Sequence, residues 1–306
     1  MNSLILHHYA PSPVSEKIRI VLGIKDIAWR SIEVPRVPPK PDVMSLTGGY
    51  RRTPFMQIGA DIFCDSAIMV REIEARYPQP SLFPGSGDGL PYGINRWADE
   101  LFYLVAKIVI GGAYQQMPEG FIADRSRLLF GSDPDLPKIY ADNPHYAAQL
   151  RAQFGWIEER LAAKRPFMLG DQPSLSDAAL YYLVWFIRGR WTGGPALLAE
   201  FPHIEAWEPR VKAIGHGQPT EMSATEALDI ARATEPTTPE QEDPRDPQGL
   251  RVGQAVRVVP DLDSGEPQVA GTVRYVDRYR IALLRDDPRV GRVCVHFPRV
   301  GYRVLT

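Results

Sequence analysis

The chain has 306 residues and a formal net charge of −2, with 44% hydrophobic and 24% charged residues. These values are typical of a globular protein and exclude a disordered chain or a fibre, and the length predicts more than one domain. The chain contains no apolar run of about 18 residues, no basic, apolar leader and only two cysteines. We therefore expect a cytoplasmic protein without a membrane segment or a disulfide framework.

The charge is unevenly distributed along the chain. Residues 249–306 contain ten arginines, no lysine and six acidic residues, so this segment carries +4 and the rest of the chain carries −6. Residues 235–247 separate the two parts and contain four prolines, several charges and no other apolar residue. This composition predicts an extended, semi-rigid linker that leads to a separate basic domain.

Hydrophobic spacing and turn residues predict the elements of the segment 1–82. Ser12 followed by Pro13 is a typical helix start, and Gly23 is the expected helix end. In chain order, the pattern predicts a strand at 4–6, a helix at 13–23, a strand at 29–34, a proline-rich loop at 35–41, a hairpin at 54–64 and a helix from Ser66 to Tyr77. This order predicts a small sheet with helices packed on it.

The remainder of the chain has two different patterns. Residues 83–90 are rich in glycine and proline and predict a second linker, and residues 92–234 have helical spacing. Within that region, Ser174 and Asp177 precede an apolar run and predict a helix with a capping box. The segment 249–306 contains five short apolar stretches separated by turn residues, which predict a small antiparallel barrel or curled sheet.

Four features of the segment 1–82 carry side chains suited to chemistry. Ser12 lies where the first strand turns into the first helix, and Lys40 lies in the proline-rich loop. The segment Arg51–Pro54 opens the third strand, where proline requires a strand edge or a cis peptide. Asp65–Ser66 lies where the fourth strand meets the second helix.

In their order and spacing, these features resemble the glutathione S-transferase family over residues 1 to about 234. The resemblance implies an α+β multidomain chain with a thioredoxin-like glutathione-binding domain at 1–82 and an all-helical substrate domain at 91–234. The small antiparallel, barrel-like β domain at 249–306 lies outside the family pattern. Thr53 departs from the family pattern, in which an aliphatic residue usually precedes the cis-proline.

The resemblance also implies roles for the site residues. Ser12 corresponds to the catalytic serine or cysteine, Pro54 to the cis-proline, and Asp65–Ser66 to the pair that binds the γ-glutamyl group. The backbone of Thr53 is expected to pair with the cysteinyl amide of glutathione. The glycine carboxylate requires a cation, which either Lys40 or Arg52 would supply.

Elementary energetics support a serine as the residue that stabilises the thiolate. A cysteine thiol has a pKa near 8.5, and lowering it by about 1.5–2 units requires roughly 2–3 kcal/mol. A hydrogen bond to a charged group contributes about 1.5–3 kcal/mol, and the start of a helix adds about 0.3–1 kcal/mol. Ser12 would supply both contributions. Tyr9 is the rival donor, although we favour a packed strand position for it.

These residues predict a glutathione transferase, expected to be a homodimer active in detoxification, that attacks a hydrophobic electrophile with the glutathione thiolate. Two alternatives stay open: a non-catalytic binding or interaction module on the same fold, and a glutathione-dependent lyase or ether-cleaving enzyme. Glutathione is the expected co-substrate, and no metal is expected because His7 and His8 point to opposite faces of a strand. We expect neither nucleic acid nor membrane as a partner, and we expect the arginines of the last domain to dock on the acidic remainder.

Overall fold

The computed structural model describes residues 3–85, 87, 89–163 and 165–306. Positions 86 and 88 of the predicted second linker therefore lie outside the described residues. The chain divides into two compact units. The first contains the residues up to Ser15, Ala28–Ile73 and Gln218–Thr306, and the second contains Glu16–Ile27 and Glu74–Gly217.

The helices and strands of the described residues are numbered in chain order. The strands are β1 (Ile5–His8), β2 (Ala28–Glu33), β3 (Phe55–Ile58), β4 (Asp61–Cys64), β5 (Gln218–Glu221), β6 (Ala255–Pro260), β7 (Val269–Val276), β8 (Arg280–Asp287), β9 (Gly291–Pro298) and β10 (Tyr302–Leu305). The α-helices are α1 (Pro13–Lys25), α2 (Pro41–Thr47), α3 (Ser66–Arg76), α4 (Gly89–Val109), α5 (Glu119–Phe130), α6 (Leu136–Ala141), α7 (Asn143–Leu161), α8 (Leu175–Arg190), α9 (Gly194–Leu198), α10 (Pro202–Lys212) and α11 (Ala224–Ala233).

The first unit is built on a ten-stranded sheet with the order β10-β6-β7-β8-β9-β4-β3-β1-β2-β5. Strands β1 and β2 are parallel, whereas β3 is antiparallel to both β1 and β4. Strand β9 pairs in parallel with β4, so that Ile62 lies beside Val295. This pairing joins the strands of the segment 1–82 to those of the segment 249–306 through backbone hydrogen bonds.

The five strands predicted for the segment 249–306 are confirmed, and their mutual pairings are antiparallel. They form the curled-sheet alternative rather than a closed barrel of their own, because β9 and β10 are not neighbours in the sheet and β9 pairs with β4 instead. The prediction of an extended linker at 235–247 holds only in part: the segment contains no helix, but Asp246 donates to the Asp243 carbonyl in a turn, and Gln241 forms backbone hydrogen bonds with Arg274 and Val276. The domain limits 1–82, 91–234 and 249–306 stay a prediction.

Three expectations about local structure are wrong. The proline-rich loop ends in α2, because Pro41 occupies the first helical position, where its missing N–H is no loss. Strand β5 interrupts the predicted helical region and pairs with β2, although all its residues are exposed. Helix α1 does not end at Gly23. A Cβ atom there would lie 2.1 Å from the carbonyl oxygen of Gly215, so this glycine permits close backbone contact.

The second unit is helical, and α4 packs against α7 and α8. The predicted capping box is confirmed: Ser174 caps α8, and the Asp177 carboxylate accepts hydrogen bonds from the Ser174 backbone N–H and hydroxyl. Buried Asp177 also accepts from the Met168 N–H at 2.8 Å and from Trp207 Nε1 at 2.9 Å. Within the part of the chain that the structure describes, none of the helices combines the length and the apolar character that a membrane span requires.

Substitution Asp177→Ala should destabilise the second unit by about 3 kcal/mol, because it leaves several buried donors without an acceptor. Asp135→Ala is the matched control, since Asp135 is an exposed N-cap that accepts from the Lys138 N–H at 3.0 Å. We expect the control to lose about 1 kcal/mol. Urea denaturation followed by circular dichroism measures both losses, and equal losses would contradict the buried role of Asp177.

Candidate active site

Ser12 lies in the turn between β1 and α1, immediately before the first helical residue, Pro13. Its Oγ accepts a hydrogen bond from the Ser15 N–H at 3.2 Å, and its own N–H donates to the Tyr9 carbonyl at 3.0 Å. The side chain is nearly buried, with 2% exposure. An N-cap bond uses a lone pair of the hydroxyl oxygen and leaves the hydroxyl proton for another acceptor. The serine therefore combines helix capping with the capacity to donate a hydrogen bond.

Tyr9, the rival donor, lies just beyond the end of β1 and is half-buried. The guanidinium carbon of Arg36 lies 5.9 Å from the centre of its ring, within range of a cation–π interaction. The expectation of a packed strand position is wrong, because the strand ends at His8. Tyr9 therefore stays an alternative donor.

Lys40 contacts the segment Arg51–Pro54, which precedes β3. The Thr53–Pro54 peptide is cis, as the sequence predicted. Lys40 is buried and directly precedes α2, and its ammonium group donates to the Arg51 carbonyl at 3.3 Å and to Thr53 Oγ1 at 3.4 Å. The structure thus places the predicted cation beside the residue whose backbone is expected to pair with glutathione.

Asp65 and Ser66 connect β4 to α3. Asp65 has a φ of +91°, an uncommon conformation for a residue with a side chain. Its Oδ1 accepts from the Ala67 N–H at 2.8 Å, which caps α3, and Ser66 is the buried first residue of that helix. Backbone strain of this kind concentrates at functional sites.

The β domain also contributes to the site, and the sequence reasoning missed this. Tyr302 donates a hydrogen bond from its hydroxyl to Asp65 Oδ2 at 3.1 Å. Arg52 Nε donates to Glu266 Oε2 at 2.7 Å, and its Nη2 lies 2.6 Å from the same oxygen. Both contacts join residues that are far apart in the chain. The sequence carries no local pattern that predicts such pairs.

Two tyrosines, Tyr50 and Tyr302, lie close to the charged side chains of Asp65, Arg52 and Glu266. Burial, followed by the nearby Asp65 carboxylate, raises the pKa of both Tyr50 and Tyr302 well above the usual value. Both hydroxyls therefore keep their protons at neutral pH, and Tyr302 acts as a donor to Asp65. Arg52 and Glu266 also act electrostatically on both rings. Asp65, Arg52 and Glu266 thus all act on the same two tyrosines.

Arginines of the β domain contact α2 and α3. Arg285 donates to the Ser45 carbonyl at 2.5 Å, Arg289 lies 2.5 Å from Asp42, and Arg280 lies 3.6 Å from Glu72. Arginine is suited to such contacts because its planar guanidinium group offers five donors. Two of these three contacts, those with Asp42 and Glu72, are ion pairs of the kind expected from docking of the arginines on the acidic remainder within the chain.

A second polar cluster lies where β4 meets β9. The potential metal-binding atoms of Asp61, Cys294 and His296 lie within 4.8 Å of one another, and all three residues are buried. Asp61 accepts hydrogen bonds from the hydroxyls of Thr237 and Thr238, both at 2.7 Å, and lies 3.2 Å from His296 Nε2. Burial, with a smaller effect of Asp61, raises the pKa of Cys294, so its thiol stays protonated. These bonds join Asp61, His296 and the two threonines, whereas His296 Nδ1 is buried and has no hydrogen-bond partner among the described residues.

Two family models match this chain, one over the segment that contains the candidate site residues and one over the helical segment. The model described as the glutathione S-transferase N-terminal domain matches residues 6–81, and the model of the C-terminal domain matches residues 119–208. The chain belongs to the glutathione S-transferase family. The thioredoxin-like and helical parts of the fold are those of the family, and the β domain is an addition to them.

Particular relatives differ in how much of the chain they match. A solved GST-like protein from Pseudomonas syringae is 32% identical, with a TM-score of 0.77, and the match covers 99% of each chain. Maleylpyruvate isomerase from a Ralstonia species is 23% identical over 180 residues, which are 57% of this chain and 78% of that protein. The solved glutathione S-transferase from Methylobacterium radiotolerans, in complex with glutathione sulfonate, is 18% identical, has a TM-score of 0.50, and covers 72% of this chain and 96% of its own. That last likeness shows the fold alone.

The stability of the first unit should fall in acid through Asp61. Burial opposes ionisation of this carboxyl, but hydrogen bonds from His296, Thr238 and Thr237 outweigh it, and the pKa lies well below the usual range. The unfolded value is about 4. The ionised group therefore stabilises the fold above that pH, and this contribution is lost as the pH falls below it.

Urea denaturation from about pH 7 down to about pH 3 tests this dependence. We expect Asp61→Asn to be less stable than the wild type at neutral pH and to lose less stability on acidification. Asp286→Asn is the control, since Asp286 forms an exposed ion pair with Arg292. Parallel pH profiles for the wild type and Asp61→Asn would contradict the assignment.

Proposed function

We propose that this protein is a glutathione-dependent transferase in which Ser12 stabilises the glutathione thiolate for attack on a hydrophobic electrophile. The observation that carries the proposal is the Ser12 hydroxyl, whose oxygen caps α1 through the Ser15 N–H at 3.2 Å. Its proton then remains to donate to the thiolate sulfur. Membership of the glutathione S-transferase family supports glutathione as the co-substrate.

The energy required of Ser12 is modest. Lowering the pKa of a thiol from near 8.5 to near 7 takes about 2 kcal/mol. A hydroxyl donor to a charged group contributes about 1.5–3 kcal/mol, and the N-terminus of α1 adds about 0.3–1 kcal/mol. Serine is not a nucleophile in this scheme: the thiolate forms the new bond to the electrophile, and the leaving group departs with the electron pair of the bond that breaks. A cysteine at this position would instead favour disulfide exchange.

The remaining groups of glutathione have candidate partners in the first unit. Lys40, beside Thr53, suits the glycine carboxylate, and the backbone of Thr53 suits the cysteinyl amide. Ser66 and the N-terminus of α3 suit the γ-glutamyl carboxylate, and Asp65 suits the γ-glutamyl ammonium. Arg52, which acts electrostatically on the same two tyrosines as Asp65, is assigned as a second partner of the γ-glutamyl carboxylate, so that Lys40 is left for the glycine carboxylate.

Isomerisation is the second candidate activity, because a relative detectable by sequence is a maleylpyruvate isomerase. The same thiolate would add to an activated double bond and leave again after rotation, so the demands on Ser12 are unchanged. The proposal also includes a homodimer in the cytoplasm, as expected from the sequence. Assays with a chlorodinitrobenzene and with maleylpyruvate separate conjugation from isomerisation.

Substitution Ser12→Ala should lower kcat/KM for the productive substrate at least tenfold, because a donor worth about 1.5 kcal/mol or more is lost. Glutathione affinity, measured by calorimetry, should change little, since the other groups of the tripeptide hold it. A pH–rate profile of the variant should shift to higher pH, because the bound thiol then ionises later.

The control for the loss of a helix cap is Ser223→Ala. Ser223 caps α11 by accepting from the Glu226 N–H at 3.2 Å, the same geometry as at Ser12, and it is exposed. This control should keep the wild-type turnover and pH profile. Unchanged turnover in Ser12→Ala would remove the serine from its role, and a large loss in Tyr9→Phe would transfer that role to the tyrosine.

A further inference from the structure

The β domain covers the part of the site to which the γ-glutamyl group is assigned. Residues 261–268 connect β6 to β7 and are here called the β6–β7 loop. A Cβ atom added to Gly49 would lie 3.3 Å from both Pro267 Cβ and the Gln268 carbonyl oxygen, so the loop lies directly against the segment that precedes Arg52. Ser264, in the same loop, is buried.

The ion pair between Arg52 and Glu266 fixes the loop on the site. Two donors of Arg52, Nε and Nη2, meet on the single oxygen Oε2 of Glu266. The Ser264 hydroxyl donates to that oxygen at 2.6 Å, and the Glu266 side chain is only 2% exposed. Arg52 is thus engaged by a carboxylate that the chain itself supplies.

The pair is incomplete, because the second carboxylate oxygen is unsatisfied. Among the described residues, Glu266 Oε1 is buried and has no hydrogen-bond donor. An ideal pair between a guanidinium group and a carboxylate uses both oxygens in two parallel bonds. A buried acceptor without a donor weakens the closed arrangement, so a ligand with a carboxylate is able to compete with Glu266 for Arg52.

Tyr302 makes the complementary contact at Asp65. Its hydroxyl is a hydrogen-bond donor at 3.1 Å from Asp65 Oδ2. The β domain therefore offers a carboxylate to Arg52 and a donor to Asp65. The α-amino-acid end of the γ-glutamyl group likewise offers a carboxylate, which a guanidinium group binds, and an ammonium donor, which a carboxylate binds.

We propose that Glu266 and Tyr302 occupy the γ-glutamyl subsite in place of the ligand, so that Glu266 sets the affinity and specificity of the site by competing with the α-carboxylate of glutathione for Arg52. The inference rests on the proposed function. Binding of glutathione then requires the β6–β7 loop to release Arg52. The apparent dissociation constant exceeds the intrinsic one by the inverse of the fraction of molecules in which Arg52 is released.

Calorimetry with glutathione and one analogue tests this competition. Glu266→Gln removes the competing charge and should tighten glutathione binding about tenfold, the change expected if about nine-tenths of the molecules are closed. In the analogue, a 4-aminobutyryl group replaces the γ-glutamyl group, so the α-carboxylate is missing and the ammonium is kept. The substitution should leave the affinity for this analogue within about twofold of the wild-type value.

Two further variants control the experiment. Glu240→Gln removes a carboxylate that lies 2.5 Å from Arg274, away from the assigned subsite, and should leave both affinities unchanged. Ser264→Ala removes one donor to Glu266 and should tighten glutathione binding by a smaller factor than Glu266→Gln. Thermal unfolding of each variant shows that it is folded, and Ser264→Ala provides the test should Glu266→Gln fail to fold.

The outcomes separate this inference from the proposed function. Equal glutathione affinities in the wild type, Glu266→Gln and Ser264→Ala would overturn the competition and leave the proposed function standing. Weaker binding by Glu266→Gln would overturn it too, since Glu266 would then contact the ligand. An equal gain in affinity for the analogue would show that Glu266 does not compete with the α-carboxylate. If no variant binds glutathione at millimolar concentration, both proposals are wrong.

Discussion

The parallel pairing of β4 with β9 is the interaction on which the site depends. It joins the segment 249–306 to the strands of the segment 1–82, and buried Asp61, which binds Thr237, Thr238 and His296, holds the strands and the preceding segment together. Backbone pairing in a sheet is rigid and fixes the register of the added strands. The same β domain then reaches Asp65 and Arg52. Its position over the site is therefore part of the fold.

The arginines of the β domain and its acidic residue Glu266 bind different parts of the first unit. Arg280, Arg285 and Arg289 contact α2 and α3, whereas Glu266 engages Arg52 at the site. The charge of +4 on residues 249–306 predicted only the contacts of the arginines, not the contact of Glu266 with Arg52. A total of −2 is the sum of many local pairs, and the function of each charge is decided by its partner and its burial rather than by the total.

Much of the fold was predictable because its signals are local. The start of α1 at Pro13, the capping box of α8 and the five strands of the β domain each follow from residue types within a few positions of one another. For Pro54 the local residues left a strand edge or a cis peptide open, and the family resemblance implied the cis peptide that the structure has. The errors have the opposite cause. Gly23 permits contact with Gly215 rather than ending α1, and β5 forms because β2 offers a free edge to distant residues.

The candidate site divides in the same way. By itself, the sequence determined which first-domain residues are candidates, because Ser12, Arg52–Pro54 and Asp65–Ser66 each stand at a recognisable strand or helix end and Lys40 is a cation in the loop between them. Only the tertiary structure decided that Arg52 is paired with Glu266 and that Asp65 accepts from Tyr302. These partners come from opposite ends of the chain. Contacts of that range depend on the pairing and register of whole strands, for which no short segment of sequence carries the information.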